Sequence, residues 1–411
     1  MNSWKRVCIA DVCESVVDCI NKTAPIVDEP SPFKMIRTTN IRNGRVNLEA
    51  VRCVTEETYS QWTRRQIPRR GDILLTREAP MGEVGMLLTD DYVFLGQRIV
   101  SYRTNPERLN NKFLLYAFQS DDLQNQIKAF ASGSTVQHMR VPNTKALQIP
   151  FPPLAEQKRI VSIVDQAFEG IDRAIANTKE NLTNARELFE SYLNATFTQK
   201  GDGWIESKLS AVCKFQGGSQ PPKSVFSAEK KEDYIRLIQI RDYKSDKYIV
   251  YIPKEKAKRF CKPDDVMIGR YGPPLFQILR GLEGAYNVAL MKAIPNEEFV
   301  SKDFLFYFLK NRNILKYIIN SSSRTTGQTG LNKVTIEPYP IAFPTLEKQA
   351  IIVAQLQELK AETQRLETIY QQKLAALNEL KQSILQKAFT GELTADTANQ
   401  TTKKAEEAIA A

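Results

Sequence analysis

The side chains best able to do chemistry in this sequence are few and scattered. Six cysteines (Cys8, Cys13, Cys19, Cys53, Cys213 and Cys261) and a single histidine, His138, are the soft metal ligands available. No two cysteines stand in a C-x-x-C pair, and a zinc site needs four ligands brought close together. The spacing predicts reduced thiols and no metal centre. Both glycine patterns that cradle nucleotide phosphates, G-x-x-x-x-G-K-[ST] and a G-x-G-x-x-G turn after a strand, are missing. The Pro-Pro pairs read "FPPL", "QPPK" and "GPPL", without the polar residue that an adenine methyltransferase uses to hold the amino group. His138 has no Ser and Asp frame around it to act as a general base. Asp264 and Asp265 follow Pro263 as in the opening of a nuclease motif, but no E-x-K follows at a reasonable spacing, and an internal match places Asp72 there as a turn residue. The expectation is a binder with no catalytic residue and no metal.

Charge gives the first hint of what is bound. The 411 residues carry 57 Lys and Arg against 47 Asp and Glu. Residues 1–150 hold 20 against 16, residues 151–199 hold 5 against 7, residues 200–342 hold 24 against 15, and residues 343–411 hold 8 against 9. The basic excess therefore lies in two segments, each followed by a slightly acidic one. A basic surface attracts phosphate through counterion release, and it can equally serve solubility. No apolar run approaches the ~20 residues of a membrane span. The start "MNSWKRVCIADVCESV" lacks the apolar core of a signal peptide. A soluble, cytoplasmic protein is expected.

The elements that would position a binding surface are written twice. "FPPLAEQKRIV" (151–161) returns as "FPTLEKQAIIV" (343–353), "WKRVCIADVC" (4–13) as "WIESKLSAVC" (204–213), and "RTTNIRNG" (37–44) as "RLIQIRDY" (236–243). "GDILLTREA" (71–79) parallels "DDVMIGRYG" (264–272), "KFLLYAF" (112–118) parallels "DFLFYFL" (303–309), and "STVQHMRV" (134–141) parallels "TTGQTGLN" (325–332). "ESYLNATFTQK" (190–200) parallels "QSILQKAFTGE" (382–392). The common order and similar offsets imply a duplication. Each front part alternates short β-like runs ("DILLT", "EVGMLL", "YIRLIQI", "DKYIVYI") with Gly, Pro, Asn and Asp. One amphipathic helix follows, near 110–130 and again near 301–320, which makes an α+β module of about 150 residues.

From Leu154 to Phe197 and from Leu346 to Phe389 there is no proline, and apolar residues step by three and four. The first stripe runs Val161, Val164, Phe168, Ile171, Ile175, Thr178, Leu182, Ala185, Phe189, Tyr192, Thr196. The second runs Ile352, Leu356, Leu359, Thr363, Leu366, Tyr370, Lys373, Leu377, Leu380, Ile384, Lys387. Such a stripe predicts coiled-coil helices, each about 65 Å long at ~1.5 Å per residue. "FPPL" and "FPTL" are then helix entrances, since proline is tolerated at a first helical position and disfavours helix just before it. The motif is a hinge signature, not chemistry.

The duplicated layout, the "PPLAEQKRIV" entrance, the "GSTVQ" loop at 133–137, the "GDILLTREA" strand and the closing "LQKAFTGEL" at 385–393 resemble the specificity subunit of type I restriction-modification systems. The second half departs from that pattern: Thr345 replaces a proline, "LEKQAIIV" shifts the usual Glu-Gln, and "RTTGQTG" replaces Gly-Ser-Thr. The resemblance implies two target recognition domains separated by two long antiparallel coiled-coil helices. In residue terms these are domain 1 at 1–150, the first helix at 151–199, domain 2 at 200–342, the second helix at 343–393 and a polar, disordered tail at 394–411. It further implies that double-stranded DNA is bound, that two methylation subunits and motor-nuclease subunits are partners, and that S-adenosylmethionine, ATP and magnesium belong to those partners.

Base readout calls for Arg, Asn and Gln able to make paired hydrogen bonds, and phosphate contact for Lys and Arg. The candidates in the first domain are Arg37, Asn40, Arg42, Arg77, Ser134, Thr135, Gln137 and His138; in the second they are Arg236, Gln239, Arg241, Arg270, Tyr271, Arg324, Thr325 and Gln328. Two rival readings are a self-contained restriction-methylation enzyme and a structural coiled-coil adaptor. The enzyme would carry its catalytic motifs upstream, where Trp4 already opens the first repeat. The adaptor would have no need of two basic globular modules.

Overall fold

The computed structural model describes residues 4–131, 137–272, 274–322 and 330–395. The chain divides into two compact units, one of residues 1–178 and 372–411, the other of residues 179–371. The division cuts across the consecutive segments expected from sequence, because each long helix, Leu154–Thr198 and Leu346–Thr390, contributes a part to both units.

In the first unit a six-stranded sheet runs in the order Cys13–Asp18, Ile99–Thr104, Ile73–Arg77, Met81–Met86, Gly44–Val46, Ile41–Arg42. A three-stranded sheet sets Lys34–Ile36 between Arg52–Cys53 and Val93–Leu95, parallel to the latter. Strand Arg6–Cys8 pairs antiparallel with Gln148–Pro150, so the module's chain arrives and leaves side by side just before "FPPL". The core joins Ile73, Leu75, Tyr102, Phe113 and Phe118 to Ile160 and Val164 of the first long helix and Leu385 and Ala388 of the second. Phe113 and Phe389 meet at 5.0 Å between ring centroids.

The second unit repeats the plan. Cys213–Gly217, Leu290–Pro295, Val266–Gly269 and Gln277–Leu279 form one sheet, and Tyr251–Pro253, Tyr234–Ile238, Gly284–Tyr286 and Phe260–Cys261 form another. Ile205–Lys208 pairs with Pro340–Phe343. Phe304, Phe308, Val266 and Ile268 pack with Leu193, Phe197, Val353 and Leu356.

Some expected elements are broken. The single helix near 110–130 is two, Asn111–Gln119 and Asp121–Ala129, because Ser120 leaves helical geometry and its hydroxyl accepts from Leu123 N. Near 301–320 the pair is Lys302–Leu309 and Arg312–Ser322, with Asn311 Oδ1 accepting from Asn313 N and Ile314 N. Only the last two residues of "DKYIVYI" are strand, in Tyr251–Pro253; Asp246–Tyr248 is a 3-10 turn capped by Ser245. Thr394 and Ala395, expected in the tail, are still helical, and Arg159 donates to Thr394 O at 3.3 Å. Residues 396–411 lie outside the described residues.

In each unit the helix segments run antiparallel. Arg159 meets residue 394 and Lys381 bonds Asp172 in the first; Arg186 pairs with Glu367 at 3.1 Å and Tyr192 donates to Gln355 at 3.4 Å in the second. The stripe drifts by one residue along each helix. Tyr192 is 40% exposed while Leu193 and Phe197 are buried, and Leu380 is 47% exposed while Leu385 and Ala388 are buried. A helix of 3.6 residues per turn slips about 20° per heptad against a strict seven-residue repeat, so a stripe extrapolated from one end arrives a position early.

The helix entrances are locked by a glutamine. Gln157, fully buried, accepts from Asn110 N at 2.9 Å and donates to Arg108 O and Pro152 O at 3.0 Å each. Gln349, equally buried, accepts from Ser301 N at 2.9 Å and donates to Phe299 O at 2.6 Å and Pro344 O at 2.9 Å. The glutamine therefore keeps its place six residues after Phe151 and Phe343; only the glutamate shifts between the two motifs. Stranding a buried donor or acceptor costs about 1–3 kcal/mol. Gln349→Leu, which strands one N–H and two carbonyls, is expected to lower the unfolding free energy of the full chain by roughly 3 kcal/mol or more in urea titrations, and Gln157→Leu likewise. A loss below about 1 kcal/mol would show that solvent takes over these bonds.

Candidate nucleic-acid interface

In each unit a strand runs into an arginine that bonds main chain about sixty residues further along the sequence. Arg77 N donates to Arg98 O at 2.8 Å, Met139 N donates to Arg77 O at 3.0 Å, and Arg77 Nη1 donates to Met139 O at 3.0 Å. Arg270 N donates to Ala289 O at 2.9 Å, Leu331 N donates to Arg270 O at 2.9 Å, and Arg270 Nε donates to Leu331 O at 2.9 Å. Arg77 is buried, and Arg270 also gives Nη1 to Val288 O at 3.2 Å. Both guanidinium groups are thus committed in part to main-chain carbonyls. Ser134, Thr135, Arg324, Thr325 and Gln328 lie outside the described residues. Gln137 is exposed, and His138 is half-buried in an antiparallel bridge to Glu78. Glu78 in turn pairs with Arg98 at 3.1 Å.

Tyr271 is 39% exposed, with the Arg270 guanidinium 5.3 Å from its ring centroid. Gly330 lies against that ring, where a Cβ would come within 2.3 Å of Tyr271 Cε1. Glycine at 330 is therefore what lets the tyrosine ring rest on main chain, a role not read from the sequence.

The second pair of candidate clusters sits on a capped 3-10 turn after a parallel strand. Ile36 pairs with Leu95 and Ile238 with Tyr286. One residue later, Arg37 N donates to Asn40 Oδ1 at 2.8 Å, and Gln239 N donates to Asp242 Oδ2 at 3.0 Å. The structural match is therefore Arg37 with Gln239 and Asn40 with Asp242, and the sequence pairing of Asn40 with Gln239 is out of register by three. Asn40 and Asp242 are 6% and 4% exposed, so both serve the turn rather than facing solvent. Arg42 Nη1 donates to Thr38 O at 2.7 Å. Arg236 pairs with Asp246 at 2.8 Å and stands 3.9 Å from Asp242. Arg241 is exposed, stacked 5.4 Å from the Tyr248 ring centroid and 3.9 Å from Asp242. Burial pushes the Asp242 carboxyl above the usual range, although the Gln239 N–H and both arginines pull it down.

The acidic residues set aside earlier are turn caps. Asp72 accepts from Arg69 N at 3.0 Å and takes a two-pronged contact from Arg103 at 2.9 and 2.8 Å. Asp265 accepts from Lys262 N at 2.9 Å and from Lys292 at 3.1 Å. Burial raises the Asp265 pKa, but that N–H with Lys292 and Lys302 outweighs it and holds the carboxyl below the usual range. Among the described residues no helix is long and apolar enough to cross a membrane.

The first unit exposes a hydrogen-bonding side chain at Gln137, and the second exposes Arg241 and Tyr271, each carried on a frame held by buried residues. Such groups can meet base edges or phosphates. Comparison with known proteins gives the same direction. The chain is similar to the EcoBI type I restriction enzyme specificity subunit of Escherichia coli, 24% identical over 96% of this chain and 87% of that protein. It is 24% identical to the StySPI specificity subunit of Salmonella potsdam over 71% of this chain and 67% of that one. A solved HsdS subunit from Thermoanaerobacter tengcongensis shares the fold at a TM-score of 0.57, with 21% identity over 96% of this chain and 98% of that one. A chain solved in a study of complex assembly and conformational transition of the type I R-M system reaches 0.75, with 21% identity over 96% and 99%. Residues 1–184 and 201–376 each match the type I restriction modification DNA specificity domain, and with both repeats accounted for the chain belongs to that family.

Proposed function

We propose that each globular module reads one half of a bipartite DNA target, and that this chain, the specificity subunit, performs no catalysis. The observation that carries the reading is the duplicated clamp: Arg77 and Arg270 hold matched main-chain positions at Met139 and Leu331, while the side chains around them differ. A shared frame with different polar groups suits two readers of different sequence. The two long helices set the gap between half-sites and dock two methylation subunits; motor-nuclease subunits complete the restriction complex. S-adenosylmethionine, ATP and magnesium are used by those partners. The deciding experiment maps methylated sites across a genome with and without this chain.

The purified chain, supplied with S-adenosylmethionine, ATP and magnesium, is expected neither to methylate nor to cut DNA. Methyl transfer by a preparation free of partner subunits would end the non-catalytic reading.

The modules are expected to read independently. A base contact is worth about 1–3 kcal/mol, so Gln137→Ala should relax one half-sequence and Arg241→Ala the other, each seen as altered methylation patterns. Uniform weakening of both halves would mark the residue as a phosphate or structural contact instead.

The helices are expected to act as a ruler. Four added residues lengthen a helix by ~6 Å, comparable to about two base pairs at ~3.4 Å each. Both helices must grow together, near Asn177 and near Ile369, with the apolar order restored. The variant should methylate the same half-sequences across a gap longer by one or two pairs. An active variant with unchanged spacing would transfer the ruler to the partner subunits.

A further inference from the structure

The arginine clamp of the first unit has a corner that its twin lacks. Arg98, whose carbonyl takes the Arg77 N–H at 2.8 Å, has a left-handed backbone with φ +70°. Arginine seldom adopts that conformation, which glycine enters freely. The clamp does not demand it: Ala289 takes the Arg270 N–H at 2.9 Å from outside the left-handed region. The two residues are true counterparts, each one place before a strand residue paired beside the clamp, Ile99 opposite Thr76 and Leu290 opposite Gly269. What the turn at 98 alters is the direction in which the side chain leaves the main chain. Its Nε stands 3.1 Å from Glu78 Oε2, with 42% and 23% of the two side chains exposed.

An ion pair so open to water adds little to stability, so it does not offset the strained backbone. Strain kept without a structural return clusters at functional sites. Glu78 also lies across from His138 in an antiparallel bridge, one residue after the exposed Gln137. Arg98, Glu78 and His138 thus meet where the chain returns to the clamp. The matched bonds of Arg270 put Ala289, Tyr271 and Gly330 at the same three places in the second unit. The main chain is kept while all three side chains change in kind, as positions that set specificity require.

We propose that Arg98 is a specificity-determining residue of the first module and reads a guanine, with Glu78 as its positioning residue. The terminal nitrogens of arginine form a fork that matches O6 and N7 of guanine, two adjacent acceptors that no other base presents in the major groove. Glu78 holds the guanidinium at Nε, and among the described residues no hydrogen bond engages Nη1 or Nη2. The carboxylate also orders a long side chain before DNA arrives, so less freedom is lost on contact. The inference rests on the proposed reading of each module as a half-site reader.

The test maps methylated sites in cells carrying the full complex with the wild-type chain or a variant, and melts each purified chain. One half-sequence should contain a G·C pair at which Arg98→Gly lowers discrimination about tenfold or more, with the other half-sequence unchanged. Since glycine accepts φ +70° freely, Arg98→Gly should melt at or above the wild-type temperature. Arg98→Lys, which keeps the charge and loses the fork, should relax the same position. Glu78→Ala should relax it as well in the wild-type chain and add nothing in Arg98→Gly. An unchanged base preference overturns the assignment, as does a lowered melting temperature with uniform loss of methylation. Uniform weakening that Arg98→Lys avoids overturns it too, by marking a phosphate contact. Gln137→Ala separates the two levels. If it alters a half-sequence while Arg98→Gly alters none, the module reads but Arg98 does not; if neither these nor Arg241→Ala alters any, half-site reading fails and the assignment with it.

Discussion

Two buried side-chain amides hold each unit's chain path at the point where a sheet module becomes a long helix. At both entrances prolines or a threonine start the helix, and the first N–H groups of any helix lack intrahelical partners. Gln157 and Gln349 leave that gap open and tie the entrance to the neighbouring core helix instead. Each accepts from the cap residue of the core helix and donates to two carbonyls that precede a helix. The three bonds tie two helices and a loop at one buried spot. A one-turn shift of the long helix, ~5.4 Å, would break all of them without water to replace them, so the departure of the helix from its own module is set there. The apolar contacts of Phe113 with Phe389 and of Phe197 with Phe304 are consequences of that placement.

From that fixed point the modules diverge only where divergence costs little. The arginine clamps bond main-chain atoms, which every residue offers, so the residues at the clamped positions are free to vary. Turn caps behave in the same way. Asn40 and Asp242 each accept one N–H from the residue three places earlier, and either side chain can do this. The frame is conserved in geometry between the units while the polar groups it displays are not, a property suited to proteins that must recognise different sequences with one architecture.

The duplication, the two helices and their 45-residue extent were legible because they rest on long periodic patterns. The breaks at Ser120 and Asn311 were not. A single capping side chain stops a helix without disturbing its apolar period, so "KFLLYAF" and the residues after it read as continuous. The register error at 37–44 has a similar cause. "NIR" and "QIR" look alike as letters, yet the parallel strand pairing at Ile36 and Ile238 aligns Asn40 with Asp242 instead. Partner strands far along the chain decide that register. Of the candidate readers, sequence selected residue types that can contact DNA, but it could not tell Gln137, which is exposed, from Asn40, which is buried in its own turn. Gln157 and Gln349 were passed over although both motifs place them alike. A polar residue repeated at a fixed distance from a helix entrance is the signal that would have found them.

Net charge over a segment and charge at a site are separate quantities here. Residues 200–342 have the larger basic excess, yet the arginines of their capped turn face acids at home. Arg236 pairs with Asp246, and Arg236 and Arg241 both lie near Asp242, whose burial makes its carboxylate dependent on them. In the first unit the matched cap is the neutral Asn40, and Arg42 is held by carbonyls rather than by an acid. A carbonyl dipole leaves the guanidinium charge in place, whereas a carboxylate cancels it at distances beyond a few ångströms. The less basic segment therefore offers the turn whose charge is better able to attract phosphate.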